Sequence, residues 1–213
     1  VRFDVSDWDV SKGSEFRSMF ENTTMFGYRG RDGDLKMWDV SQGTDFRRMF
    51  RGTEEFNGDV TRWDVSKATK MHSMFRDAKA FWGCTGGCQN MGKWDVSKVT
   101  EFNSMFRGAP NFQGTIRKWK ISNANTRYMF ANTSRWGKRG GGSKMCAATW
   151  DLSACIKARM DDGTGDCVNV DGMFEGADMS DYIKCCLRKL LTAEQLVKAT
   201  IADFSNPQYN CAH

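Results

Sequence analysis

The chain has 213 residues, 40% of them hydrophobic, which is enough to bury a core and excludes a disordered chain. A net charge of +5 and a pI of 8.8 fall short of the usual nucleic-acid-binding footprint. No run approaches the ~18 consecutive apolar residues of a membrane span. The first residue is Val1, and residues 2–6 already read as the middle of a repeat, so a cut fragment or a processed mature form is expected.

One pattern then recurs along the chain. Trp-Asp-Val-Ser or a close variant stands at Trp8, Trp38, Trp63, Trp94, Trp119 (WKIS) and Trp150 (WDLS). A Met-Phe pair ends at Phe20, Phe50, Phe75, Phe106, Phe130 and Phe174, and six residues later comes Phe26, Phe56, Phe81, Phe112 or Trp136. The Trp-to-Trp spacings are 30, 25, 31, 25 and 31. A fixed period of this size marks a solenoid, whose coils bury their aromatics only by stacking.

Within each repeat, Val5, Leu35, Val60, Met91 and Ile116 precede the Trp, and Val10, Val40, Val65, Val96 and Ile121 follow it. This segment reads as a strand that pairs with its copies at ~4.8 Å to form a parallel sheet. Next, Ser14, Thr44, Thr69, Thr100 or Asn125 reads as a helix N-cap. Phe16, Met19 and Phe20, like Phe102, Met105 and Phe106, have helical spacing. Asn22, Gly52, Asp77, Gly108, Asn132 or Gly176 suits the left-handed conformation that ends a helix. The expected fold is therefore an α/β repeat solenoid. It would be a leucine-rich-repeat-like right-handed superhelix, with a Trp ladder along a parallel β-sheet and short helices on the other side. Residues 1–153 form about six repeats; residues 154–213 hold the last repeat, a cysteine-rich insertion and a helical cap.

The stretch WDVSKVTEFNSMFRGAPNFQGTI, from Trp94 to Ile116, resembles the repeat of BspA-type leucine-rich-repeat surface proteins. The resemblance covers residues 4 to about 136, and again Trp150–Ser153 and Gly172–Ala177. It implies a β-α solenoid, surface binding or adhesion in many members, and no active site to carry over. Gly13 and Gly43 depart from the usual valine, Lys120 replaces the Asp, and the cysteine-rich C-terminal part lies outside the pattern.

Alternate repeats carry Gly-rich inserts after the later aromatic: GYRGRDG after Phe26, WGCTGGCQ starting at Trp82, and GKRGGGSKM after Trp136. All three leave the repeat at one position and should project along one edge. They hold Tyr28, Arg29, Arg31, Trp82, Lys138 and Arg139, residue types enriched at binding hot spots. The plainer alternative is variable surface loops, with Trp82 folded back onto its own coil.

The eight cysteines, Cys84, Cys88, Cys146, Cys155, Cys167, Cys185, Cys186 and Cys211, suggest disulfides and hence an oxidising compartment. Free thiols and zinc are the alternatives, but no pair has C-x-x-C spacing. The short loop between Cys84 and Cys88 can close on itself, while Cys146, two coils on at roughly 10 Å by strand spacing, exceeds disulfide reach unless the loops bend. Cys84–Cys88 is the expected bond, with the later cysteines tying down the cap. There, residues 181–191 and 192–204 read as helices that close the stack.

Chemistry is sparse. The Asp column of Asp9, Asp39, Asp64, Asp95 and Asp151 suits backbone hydrogen bonding in a turn better than calcium. His72 has no catalytic companion, the methionines of the Met-Phe pairs read as core, and the Gly-rich run 137–144 lacks phosphate-loop order. No cofactor or catalytic group is expected. Lys12, Lys67 and Lys98, and Arg51, Arg76 and Arg107, would form ladders: a solvated face, or a site for an acidic partner or an anionic glycan. The expected function is a non-enzymatic protein-binding module, an accessory or scaffold subunit of a larger assembly. The rival is a cell-surface adhesin that recognises a glycan or host protein. The location is extracellular, an oxidising organellar lumen or the intermembrane space.

Overall fold

Each repeat folds into one coil made mostly of tight turns. The computed structural model of the chain describes residues 4–27, 35–83, 91–114, 116, 118–119, 121, 124–134 and 172–177. Trp8, Trp38, Trp63, Trp94 and Trp119 mark coils 1 to 5, and residues 172–177 belong to coil 6.

Local hydrogen bonds shape the coil. The Asp after Trp accepts the amide two residues on, at 3.0 Å in Asp9–Ser11, Asp39–Ser41, Asp64–Ser66 and Asp95–Ser97. This Asx turn is the role its position beside Ser predicts. Further on, the amides of Met19, Glu21 and Thr23 close overlapping turns on the carbonyls of Phe16, Ser18 and Phe20. Ser18 (φ 56°) and Asn22 (φ 60°) are left-handed within this run. The same two frame positions are left-handed in Arg48 and Gly52, Ser73 and Asp77, Ser104 and Gly108, and Tyr128 and Asn132.

Coils stack through alternate amides. The N–H groups of Phe16, Ser18, Phe20 and Asn22 donate to the carbonyls of Asp45, Arg47, Met49 and Arg51 at 2.8, 2.9, 2.9 and 2.7 Å. The pattern runs on to coil 6, where Phe130 donates to Met173 (2.8 Å) and Asn132 to Glu175 (2.7 Å). A second link uses the indoles: Trp38, Trp63, Trp94 and Trp119 donate through Nε1 to the carbonyls of Val5, Leu35, Val60 and Met91 at 2.9, 2.8, 3.0 and 2.7 Å.

The core is a set of aromatic columns. Phe20, Phe50, Phe75, Phe106, Phe130 and Phe174 stack in one column at 5.5, 5.4, 5.8, 5.6 and 5.7 Å between ring centroids. Inside coils 1 to 4, the Met-Phe ring also stacks on the later Phe at 4.0, 4.1, 4.0 and 3.8 Å. Trp8, Trp38 and Trp63 stack at 6.4 and 6.5 Å, and Trp94 on Trp119 at 6.0 Å. Each buried aromatic contributes roughly 1.5–3 kcal/mol by leaving water, and each stacked pair roughly 0.5–1.5 kcal/mol more. Met49, Met74, Met105, Met129 and Met173 are buried, but Met19 of coil 1 is 38% exposed, so the expected methionine core begins only at coil 2. The buried hydroxyls of Thr53 and Thr133 are satisfied by the carbonyls of Phe50 (2.8 Å) and Phe130 (2.7 Å).

This architecture corrects the expected α/β solenoid with a leucine-rich-repeat-like parallel sheet and short helices. Among the described residues there is no α-helix and no strand. The only helical element among them is a 3-10 turn at Met91–Lys93, and the only β-pairing among them is a line of isolated parallel bridges: Glu15–Asp45, Asp45–Lys70, Lys70–Glu101 and Glu101–Asn125. The reason lies in the left-handed residues. A helix needs consecutive right-handed residues, each amide bonding four residues back. Here Ser18 reverses the chain inside the supposed helix, and alternate amides leave for the next coil. The same reversals cut the inter-coil ladder to single bridges. The expected strand through Trp is also absent: Val5, Leu35 and Val60 are buried, but the Trp amide turns back to their carbonyls at 3.1, 3.1 and 3.3 Å. The predicted cap helices and Trp150 lie outside the described residues.

Candidate functional site

The column of later aromatics forms one edge of the stack. Phe26, Phe56, Phe81 and Phe112 follow one another at ring steps of 5.5, 6.0 and 6.1 Å. Two inserts leave from this column through left-handed glycines, Gly27 (φ 82°) and Gly83 (φ 64°). Both glycines also sit tightly over the next coil. A Cβ on Gly27 would approach Phe56 Cα at 3.0 Å, and one on Gly83 would meet the Phe112 ring at 2.6 Å. Only glycine fits both the turn and the approach.

Trp82 stands at the start of the second insert. Its amide donates to Asn57 Oδ1 of coil 2 at 2.9 Å, and its carbonyl accepts the Gln113 amide of coil 4 at 2.9 Å. The backbone is thus tied to both neighbouring coils, while the residue remains 40% exposed, next to fully buried Phe81. Of the other residues singled out from the inserts, Tyr28, Arg29, Arg31, Lys138 and Arg139 lie outside the described residues. So do all eight cysteines: Cys84, Cys88, Cys146, Cys155, Cys167, Cys185, Cys186 and Cys211.

A second surface is built by the tight turns. Its upper coils carry paired charges. Arg51 reaches Glu21 at 2.9 Å, Arg76 reaches Asp77 at 3.2 Å, and Lys79 reaches Glu54 at 2.8 Å. His72 Nδ1 lies 2.8 Å from Glu101 Oε2 of the next coil, on the turn face rather than on a helix. Arg47 holds Asp45 in a two-pronged grip. Burial opposes ionisation of Asp45, but the Arg47 hydrogen bonds, aided by the Arg47 and Lys70 charges, outweigh it and hold its carboxyl below the usual range. Hydrogen bonds from Ser11 and Ser41 likewise lower the carboxyls of Asp9 and Asp39. Lys67 of the expected lysine ladder donates to Gln42 Oε1 at 2.6 Å.

Further down the same face the chemistry changes. The guanidinium carbons of Arg107 and Arg127 lie 5.1 and 4.9 Å from the ring centroid of Tyr128. Arg127 Nη2 also approaches the Tyr128 hydroxyl at 3.4 Å. Sequence reading placed Arg107 in a ladder but missed Tyr128 and Arg127. The available signal was a tyrosine at the frame position where coils 1, 3 and 4 carry Ser18, Ser73 and Ser104. Among the described residues, no group of three or more His, Cys, Asp or Glu could hold a metal ion, and no helix is long and apolar enough to cross a membrane.

The family described as "Mycoplasma protein of unknown function, DUF285" matches residues 1–85 and 78–159. No curated protein and no solved structure matches the chain.

Proposed function

The chain belongs to the DUF285 family, and from that premise we propose a non-enzymatic, protein-binding repeat module, an accessory or scaffold subunit of a larger assembly. Its binding edge is the column from which the inserts leave. The observation that carries this reading is Trp82: its backbone is fixed from both neighbouring coils, yet a large aromatic residue stays 40% exposed. A residue whose backbone is already held loses less conformational freedom on binding, and Trp is enriched among hot-spot residues. In the sequence Tyr28, Arg29, Arg31, Lys138 and Arg139 stand in the inserts that follow the same frame position. The compartment is an oxidising one outside the cytosol, supported by the eight cysteines. The resemblance of the WDVS repeat to BspA-type surface proteins is in keeping with a binding role.

The test is Trp82→Ala in the full chain, with partner capture from the native source and the melting temperature measured side by side. Weakened capture with a nearly unchanged melting temperature is expected. Normal capture with a lowered melting temperature would make Trp82 a core residue and remove the edge from consideration.

A further inference from the structure

The turn face carries a second site that is independent of the Trp82 edge. We propose that Arg107 and Arg127, both lying over the Tyr128 ring, form a carboxylate clamp for an acidic segment of a protein partner.

Three features converge on this place. First, Tyr128 occupies a left-handed backbone position (φ 56°), which is uncommon for a bulky aromatic. Second, the next coil makes room for its ring: a Cβ on Gly172 would lie 2.1 Å from a Tyr128 ring carbon. Third, both guanidinium groups lie over that ring, at 5.1 and 4.9 Å. Such cation-π contacts restrict two long, mobile side chains before any ligand arrives.

Charge balance separates this site from the coils above it. In the column Arg51, Arg76, Arg107, the first two arginines are matched by Glu21 and Asp77. Among the described residues Arg107 and Arg127 make no ion pair and both meet the aromatic ring; the Glu175 carboxylate of coil 6 stands near the same ring, beside Gly172, without pairing with either. Two planar, preset forks suit bidentate pairing with carboxylates. The Tyr128 ring is already engaged by both guanidiniums and by Gly172, so it is poorly placed to stack on a sugar. This favours an acidic peptide over a glycan.

The experiment titrates the full chain with an oligoglutamate peptide at low ionic strength and, separately, with a sulfated oligosaccharide. Melting temperatures are recorded for every variant. The double variant Arg107→Ala/Arg127→Ala should weaken oligoglutamate binding by about tenfold or more, since each charged contact is a strong one. Tyr128→Ser installs the residue that coils 1, 3 and 4 tolerate at this position, so it should fold. It should nonetheless weaken binding several-fold by releasing the arginines. Trp82→Ala should bind oligoglutamate as the parent does, which keeps this outcome apart from that of the insert edge. Unchanged binding in the double variant overturns the site. Unchanged binding in Tyr128→Ser overturns the preset clamp, and tighter, arginine-dependent binding of the sulfated sugar overturns the choice of partner.

Discussion

Gly108→Ala tests how the coils fit together. Gly108 is left-handed (φ 67°), and a Cβ built on it would lie 2.2 Å from Asp77 Oδ1 of the preceding coil. Placing Ala in the left-handed region costs about 1–2 kcal/mol, offset by about 0.4–1 kcal/mol because Ala restricts the unfolded chain more than Gly does. The Asp77 side chain must also move. Asp77 is itself left-handed (φ 58°), its backbone is bonded to Arg107 O at 2.8 Å, and its carboxylate is bonded to Arg76. Relieving such an overlap costs of order 1–3 kcal/mol. The net loss is about 1–4.5 kcal/mol, which for a chain of this size lowers the melting temperature by roughly 2–18 °C. Circular dichroism melts and urea unfolding of the full chain measure it. The cycle with Asp77→Gly is the sharper readout. Removing the obstructing carboxylate should recover about 1 kcal/mol or more, as coupling between touching residues. Additive single-variant losses would refute the overlap, and with it the idea that the Asp–Gly pair sets the fit between coils 3 and 4.

Other expectations follow from the same contacts. Trp63→Phe keeps an aromatic ring but removes the indole N–H that donates to the Leu35 carbonyl at 2.8 Å; that carbonyl retains the Trp38 amide at 3.1 Å, so loss of the hydrogen bond should lower stability by about 0.5–1.5 kcal/mol in urea titrations. Asp45 is held below its ordinary carboxylate range when folded, so the unfolded chain binds more protons in that window. Its contribution is therefore present above the unfolded pKa and lost as pH falls through the folded one; Asp45→Asn should flatten that acid limb of the melting profile. Gly83→Ala should weaken partner capture and also lower the melting temperature, because the added Cβ meets Phe112 at 2.6 Å. Mass spectrometry of the unreduced protein should show Cys84 bonded to Cys88; free thiols there would reject that pairing.

The repeat frame, the stacked Trp pairs, the Met core from coil 2 onward and the Asx turns were legible because each follows from periodicity plus residue chemistry. The turn run was not. Phe16, Met19 and Phe20 have a spacing that one helical turn and a run of tight turns share. The residue type correctly flagged left-handed backbone at Asn22, Gly52 and Asp77. At Ser18, Arg48 and Tyr128 it gave no such flag, because those side chains rarely adopt that conformation. What imposes it is tertiary: the Ser18 amide is needed by Arg47 O, and the Arg48 amide by His72 O. For the sites, Trp82 stood out by falling off the aromatic frame. The Arg107–Tyr128–Arg127 group did not, because it exists only once coils 4 and 5 are stacked in register.

The alternation of short and long repeats has a structural counterpart. Coils 1, 3 and 5 carry Asn22, Asp77 and Asn132, and each of these side chains overhangs the glycine of the next coil, Gly52, Gly108 or Gly176, within 2.2–2.3 Å of where a Cβ would be. The inserts follow the same phase, leaving coils 1 and 3 through Gly27 and Gly83, which rest on Phe56 and Phe112 of the coils below. Asn57 of coil 2 then holds the Trp82 amide, and Gln113 of coil 4 binds its carbonyl. Coils 2 and 4, which carry no insert in the sequence, therefore supply the rings beneath Gly27 and Gly83 and the two hydrogen bonds that hold the Trp82 backbone. Neighbouring rings on this edge are only 5.5–6.1 Å apart, too close for loops on every coil to stand side by side. Gly27 and Gly83, where the first two inserts begin, are thus two ring steps apart on this edge.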